Sequence, residues 1–211
     1  MNVYILLDRS GSMQNLWDEA LGAINMYVDK LSKETNVYMA VFDTDYEVIR
    51  QSNAGSWKPV TNEDASPRGM TALYDASARI IQRAIDDNSE KTVVVVMTDG
   101  EENSSKNYRH ADVKDLVAKV DAKKWELIFL GANFDKVGNV AASYGRTNDK
   151  FVNMSEKGMR NFMSGTLATS TMAYASGAAA MSFTDKDKKE ANAIDDPFQI
   201  KLNVAVGGVK K

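Results

Sequence analysis

The stretch Val3-Tyr4-Ile5-Leu6-Leu7-Asp8-Arg9-Ser10-Gly11-Ser12-Met13 opens on five apolar residues, stops at a carboxylate and continues with two hydroxyls two positions apart. An apolar run followed by a turn reads as a strand buried on both faces, which delivers Asp8 to one end of a sheet. Gly11 lets the loop bend tightly, so that Ser10 and Ser12 turn their hydroxyls toward the point Asp8 faces. One carboxylate and two hydroxyls make a cluster of hard oxygen donors. Such a set suits Mg²⁺ or Mn²⁺ better than a soft metal.

Outward from that stretch, strand and helix patterns alternate. Leu16, Ala20, Ala23, Ile24, Tyr27, Val28 and Leu31 recur at helical spacing, with Asp18, Glu19, Asp29 and Lys30 on the other face. Asn36–Phe42 and Tyr46–Gln51 read as strands joined by the turn Asp43-Thr44-Asp45, a hairpin. Ser52 to Gly69 has two prolines, Trp57 and no periodicity, and is expected as a loop over the sheet edge. Thr71 is placed to cap a helix whose stripe is Leu73, Ala76, Ile80, Ile81, Ala84 and Ile85. Thr92–Thr98 is a β-branched run suited to a strand covered on both faces. A third helix carries Val113, Leu116, Val117 and Val120, and a strand over Glu126–Ala132 follows it. A short helix over Lys136–Tyr144, an edge strand at Phe151-Val152 and a long helix capped by Ser155 complete the pattern. Alternation of this kind means βαβ units: an α/β fold, doubly wound, with a mostly parallel central sheet and helices on both faces.

The division expected from these patterns is a domain over residues 1–182 and an appendage over 183–211. The appendage begins with Asp185-Lys186-Asp187-Lys188-Lys189-Glu190, read as a solvated linker. After Pro197, the residues Phe198, Ile200, Leu202, Val204 and Val206 alternate with Gln199, Lys201, Asn203 and Ala205. That is an amphipathic strand, which extends its own sheet or adds to a partner's.

Composition narrows the function classes. Hydrophobic residues at 44% and charged residues at 26% are ordinary for a globular protein and argue against disorder. With 26 basic and 29 acidic residues the net charge is −3, too near neutral for a nucleic-acid footprint. Cysteine is absent, which removes disulfides and thiolate sites, and His110 is the only histidine, so no multi-His zinc site can form within one chain. No apolar run of about 18 residues is present to span a bilayer and no signal peptide is visible, so a cytoplasmic protein without a membrane role is expected.

Three segments together resemble the von Willebrand factor A (vWA) domain family. Its metal-ion-dependent adhesion site (MIDAS) begins with Asp-x-Ser-x-Ser, matched by Asp8, Ser10 and Ser12. Ser66-Pro67-Arg68-Gly69-Met70-Thr71-Ala72-Leu73-Tyr74-Asp75-Ala76 looks like the second loop of that site, in which Thr71 supplies a hydroxyl. Val93-Val94-Val95-Val96-Met97-Thr98-Asp99-Gly100 looks like the strand and turn that supply the last carboxylate, Asp99. The resemblance implies a Rossmann-like three-layer sandwich in which the hairpin provides one antiparallel edge strand. It implies metal ligands Asp8, Ser10, Ser12, Thr71 and Asp99, with Mg²⁺ as cofactor and Mn²⁺ or Ca²⁺ as alternatives. It further implies a non-enzymatic adaptor whose protein ligand offers a Glu or Asp carboxylate. Small intracellular bacterial or phage proteins of this type resemble partners of AAA+ ATPases or of stress complexes. The oligomeric state is left open.

Two other classes stand beside that reading. In the first, a Mg²⁺-dependent phosphatase of the haloacid-dehalogenase type, an Asp is needed where Ser10 stands, and a hydroxyl cannot do acid–base work at neutral pH. In the second, a structural component, the C-terminal strand serves oligomerisation. Among the neighbours of the site, Arg9 and Arg68 are either cations that favour an incoming anion or solvated surface residues. Met13 is read as core and Met70 as rim, Asp43 and Asp45 as hairpin residues, and Glu101, Glu102 and Asn103 as either a border of the binding surface or a solvated loop.

Overall fold

Leu7 lies beside Val41 on one side and Met97 on the other, so the first strand runs through the middle of the sheet. The computed structural model describes residues 1–100, 102–132, 144 and 150–192. Among these, six strands form one sheet: β1 (Asn2–Asp8), β2 (Asn36–Phe42), β3 (Tyr46–Asn53), β4 (Thr92–Thr98), β5 (Glu126–Ala132) and β6 (Phe151–Met154). Their order is β3-β2-β1-β4-β5-β6. All neighbouring pairs are parallel except β2 with β3, which form the antiparallel hairpin expected at one edge. The doubly wound α/β fold read from the sequence is therefore the one observed.

Side chains alternate along each strand, and the alternation builds two cores. Val3, Ile5 and Leu7 join α1 (Trp17–Lys30) and the rod made by α4 (Glu156–Asn161), a π-helical stretch (Phe162–Leu167) and α5 (Ala168–Ala175). Tyr4 and Leu6 face the other way, toward α2 (Leu73–Asp87) and α3 (His110–Ala122). Every residue of β4 is buried, as a β-branched run between two helical layers must be. Each buried Val, Leu or Ile contributes on the order of 1.5–3 kcal/mol, so these two cores hold the sheet. Asn88 closes α2 in the left-handed conformation, φ 45°, where Asn is tolerated.

Four expectations need correction or placement. Thr71 does not cap α2: the N-cap position is Ala72, without a side-chain bond. The amides of that first turn, which have no partner within the helix, are met from another loop, Tyr74 N–H donating to Glu102 Oε2 at 2.8 Å and Asp75 N–H to Ser105 Oγ at 3.1 Å. The charged stretch read as a linker is helical, α6 (Asp185–Ala191), opened by a capping box between Thr184 and Asp187. It is docked rather than solvated, because Ala191 is buried and its carbonyl accepts from Ser155 N–H at 3.0 Å. The helix expected over Lys136–Tyr144, apart from the buried Tyr144, and the strand over Phe198–Val206 lie outside the described residues. Among the described residues, no helix is long and apolar enough to cross a membrane.

Candidate metal centre

The carboxyl ends of parallel strands are where loops diverge in an open α/β sheet and leave room for a ligand. β1 ends there in Asp8 and β4 ends there in Thr98, one residue before Asp99. Asp8 is fully buried. Its Oδ1 accepts from Ser10 N–H at 2.7 Å and its Oδ2 from the Thr98 hydroxyl at 2.6 Å. Burial pushes its carboxyl up to about 6, and the bonds from Thr98 and Ser10 only partly oppose that. Asp99 is half-buried and raised for the same reason, with the Ser12 bond opposing it.

The five expected residues come together. Ser12 Oγ lies 3.1 Å from Ser10 Oγ and donates to Asp99 Oδ1 at 2.7 Å. A methyl group placed on Gly100 would sit 3.2 Å from Thr71 Oγ1 and 3.8 Å from both Asp8 Oδ2 and Ser12 Oγ. Oxygens from the loop after β1 and from the loop before α2 therefore lie within 4 Å of one point beside Gly100, in the turn after β4. Among the described residues no Lys or Arg pairs with either carboxylate, and no three acidic, His or Cys side chains gather as a metal cluster. What gathers is two carboxylates and three hydroxyls. A buried carboxylate without a cation beside a second one is an electrostatic cost that a small, hard divalent ion would remove.

The surroundings differ from the sequence reading in instructive ways. Arg9 is neither solvated nor turned to the site: it is buried, with Nε 3.1 Å from Asp43 Oδ2 and Nη1 2.8 Å from Glu47 Oε2. Arg68 is exposed but committed to the same Asp43 Oδ2 at 2.7 Å. Asp43 is thus a buried anchor for two guanidinium groups and not a plain hairpin residue. Burial works to raise its carboxyl, but the Asp45 amide, Arg68 and the charge of Arg9 outweigh it and hold the group below the usual carboxylate range. Met13 is core and Met70 is exposed at the rim, as read.

Three residues support the donors, and of these the sequence reading gives Thr98 no role. Thr98 orients Asp8, and its place one residue before Asp99 was the available signal. Asn103 was read only as a border or a solvated loop. Its Oδ1 accepts from Thr71 N–H at 2.8 Å while its own N–H donates to Thr71 O at 3.0 Å. Glu102 accepts from Tyr74, Ser104 and Ser105, which ties the loop after Asp99 to the start of α2.

The profile described as "von Willebrand factor type A domain" matches residues 2–165. No curated protein sequence matches the chain. Among solved structures, the von Willebrand factor type A protein from Catenulispora acidiphila is similar at a TM-score of 0.57 and 14% identity, over 81% of this chain and 42% of that one. The PilB minor pilin from Streptococcus sanguinis is similar at 0.62 and 13%, over 84% of this chain and 63% of the pilin. Manganese-loaded TRAP protein from Plasmodium vivax is similar at 0.55 and 20%, over 76% and 70%. This chain thus spans less than two thirds of the first two structures. Identities this low establish a shared fold. The profile covers most of the chain: the chain belongs to the von Willebrand factor type A domain family.

Proposed function

We propose that this chain is a non-enzymatic, metal-dependent protein-binding module. The observation that carries the reading is the convergence of Asp8, Ser12 and Thr71 oxygens within 4 Å of one open point, with Ser10 and Asp99 hydrogen-bonded to the same group. The site is of the MIDAS type, with Asp8, Ser10, Ser12, Thr71 and Asp99 as the residues that hold Mg²⁺, directly or through water. A bound ion of this kind supplies an oxygen-seeking position for a carboxylate from a partner. The manganese-loaded state of the TRAP structure supports a divalent ion here too.

The protein's own residues set the character of the site. Three neutral hydroxyls and two carboxylates satisfy an ion without fully neutralising its pull on a further anion. Thr98 and the Ser10 amide hold Asp8 in place before an ion arrives, so little reorganisation is needed. No acid–base side chain stands two residues after Asp8, which favours binding over hydrolysis. The roles of cytoplasmic adaptor and of partner to an AAA+ ATPase or a stress complex rest on the family resemblance.

The test is calorimetric titration of chelator-stripped protein with Mg²⁺ and Mn²⁺, beside Asp8→Ala and Ser10→Ala. A pull-down from the native source with and without chelator accompanies it. Loss of metal binding in both variants and chelator-sensitive capture support the module. A wild type that binds neither ion overturns it.

A further inference from the structure

Asp43 stands outside the donor set, yet the two loops that must meet at the site are fastened through it. Its Oδ2 takes Arg9 Nε at 3.1 Å and Arg68 Nε at 2.7 Å, and its Oδ1 takes the Asp45 amide at 2.6 Å. Its backbone carbonyl accepts from Ala72 N–H at 2.9 Å, directly after Thr71. Arg9 sits between Asp8 and Ser10, while Arg68 begins the approach to Thr71. The same seam is closed by Arg68 N–H to Arg9 O at 2.7 Å and Gly11 N–H to Gly69 O at 3.2 Å. Gly69, at φ +71°, packs so near that an added Cβ would lie 3.3 Å from Asp43 Cβ. The carboxylate and the Arg9 guanidinium are both buried, so their geometry is fixed by desolvation as well as by charge.

We infer that Asp43 is a positioning residue of the metal site: through Arg9 and Arg68 it sets the distance between the Ser10 and Ser12 hydroxyls and Thr71. This rests on the proposed metal-binding reading. A shared anion between two cations resists separation of the loops in a way that the two seam bonds alone do not. Groups that orient metal ligands from outside the donor set typically account for about 10–100-fold in affinity.

The experiment compares Asp43→Asn and Arg68→Ala with wild type, with Arg83→Ala as a control, since Arg83 pairs with Asp87 toward the far end of α2. Mn²⁺ affinity is read by calorimetry, and amide hydrogen exchange is read on the chelator-stripped proteins. The expected result is an affinity loss of about tenfold or more in Asp43→Asn and a smaller loss in Arg68→Ala. Gly11 and Ala72 amides should exchange faster while β4 amides and the control stay at wild-type rates. Wild-type affinity and unchanged exchange at Gly11 and Ala72 in a folded Asp43→Asn overturn the inference. Should Asp43→Asn fail to fold, Arg68→Ala decides by the same two readouts, because Arg68 is exposed and leaves the Arg9–Asp43 pair intact. Should the wild type bind no Mn²⁺, the metal reading falls, and unchanged exchange at the two amides would sink the clamp separately.

Discussion

Ser12 Oγ donates to Asp99 Oδ1 at 2.7 Å across 87 positions of sequence, joining the loop after β1 to the turn after β4. Removing the hydroxyl in Ser12→Ala deletes a proposed metal donor and the bond that orients Asp99. Ser12 is exposed and Asp99 half-buried, so the metal-free fold should lose only about 0.5–1.5 kcal/mol. Mn²⁺ affinity should fall by about tenfold or more. Denaturant titration under chelator and calorimetry separate the two effects.

On the proposed reading, Asp8 ties metal affinity to pH. Its carboxyl is raised from an ordinary 3.8 to about 6 in the fold, so the folded chain holds the proton more tightly than the unfolded chain. Its contribution to metal-free stability is therefore full below the unfolded value and is lost as pH rises through about 6. Metal must displace that proton, and affinity should weaken as pH falls below about 6. Thermal unfolding between about pH 5 and pH 7, with chelator and with excess Mg²⁺, checks both directions: the ion should cancel the decline seen without it.

Asp8→Asn turns this cost into a gain. The amide has the size of the carboxylate but no charge, and the Thr98 hydroxyl has an alternative acceptor in Gly100 O at 3.3 Å. The metal-free variant should be more stable than wild type near neutral pH by about 1–3 kcal/mol, while metal binding disappears. Denaturant midpoints under chelator measure the gain; a variant less stable than wild type would refute it.

Gly100→Ala tests the open point directly. The new methyl would lie 3.2 Å from Thr71 Oγ1 and intrude among the donors. Folding should survive within about 1 kcal/mol, since neither core is touched, whereas affinity should fall strongly. Equal affinity in the variant would place the ion elsewhere.

Gly158→Ala probes the docking of α6. A Cβ there would stand 1.8 Å from Ala191 O, closer than any real contact. The backbone must yield, with an expected cost of about 1–3 kcal/mol or more. Proteolysis should then reach Asp185–Ala191 at protease levels that spare the wild type.

What could be read from the sequence was whatever is local or periodic. Val93–Val96 announce a strand covered on both faces because the β-branched run leaves no polar side. The three site loops were legible because each places its oxygen at a strand end or just before a helix. Arg9 and Asp43 were misread because their partnership spans 34 residues, and a charged residue in a turn looks solvated until its distant partner is known. Thr71 was misjudged as a cap for a similar reason: the loop that serves α2 comes about 30 positions later, at Glu102 and Ser105. α6 has a single buried side chain, so periodicity was silent, although the Thr184–Asp187 capping box was in view.

The register of β1 has a consequence for how the chain comes to its final form. One side of β1 pairs with residues 36–42, close in sequence, but the other side waits for residues 92–97. Thr98 reaches Asp8 across 90 positions. Contacts this distant close late, because the entropy of the intervening loop must first be lost. Until β4 inserts, the central strand keeps one bare edge, and Ser12 has no Asp99 to meet. On the proposed reading, a divalent ion would close over loops that the assembled sheet has already brought together, as a final latch.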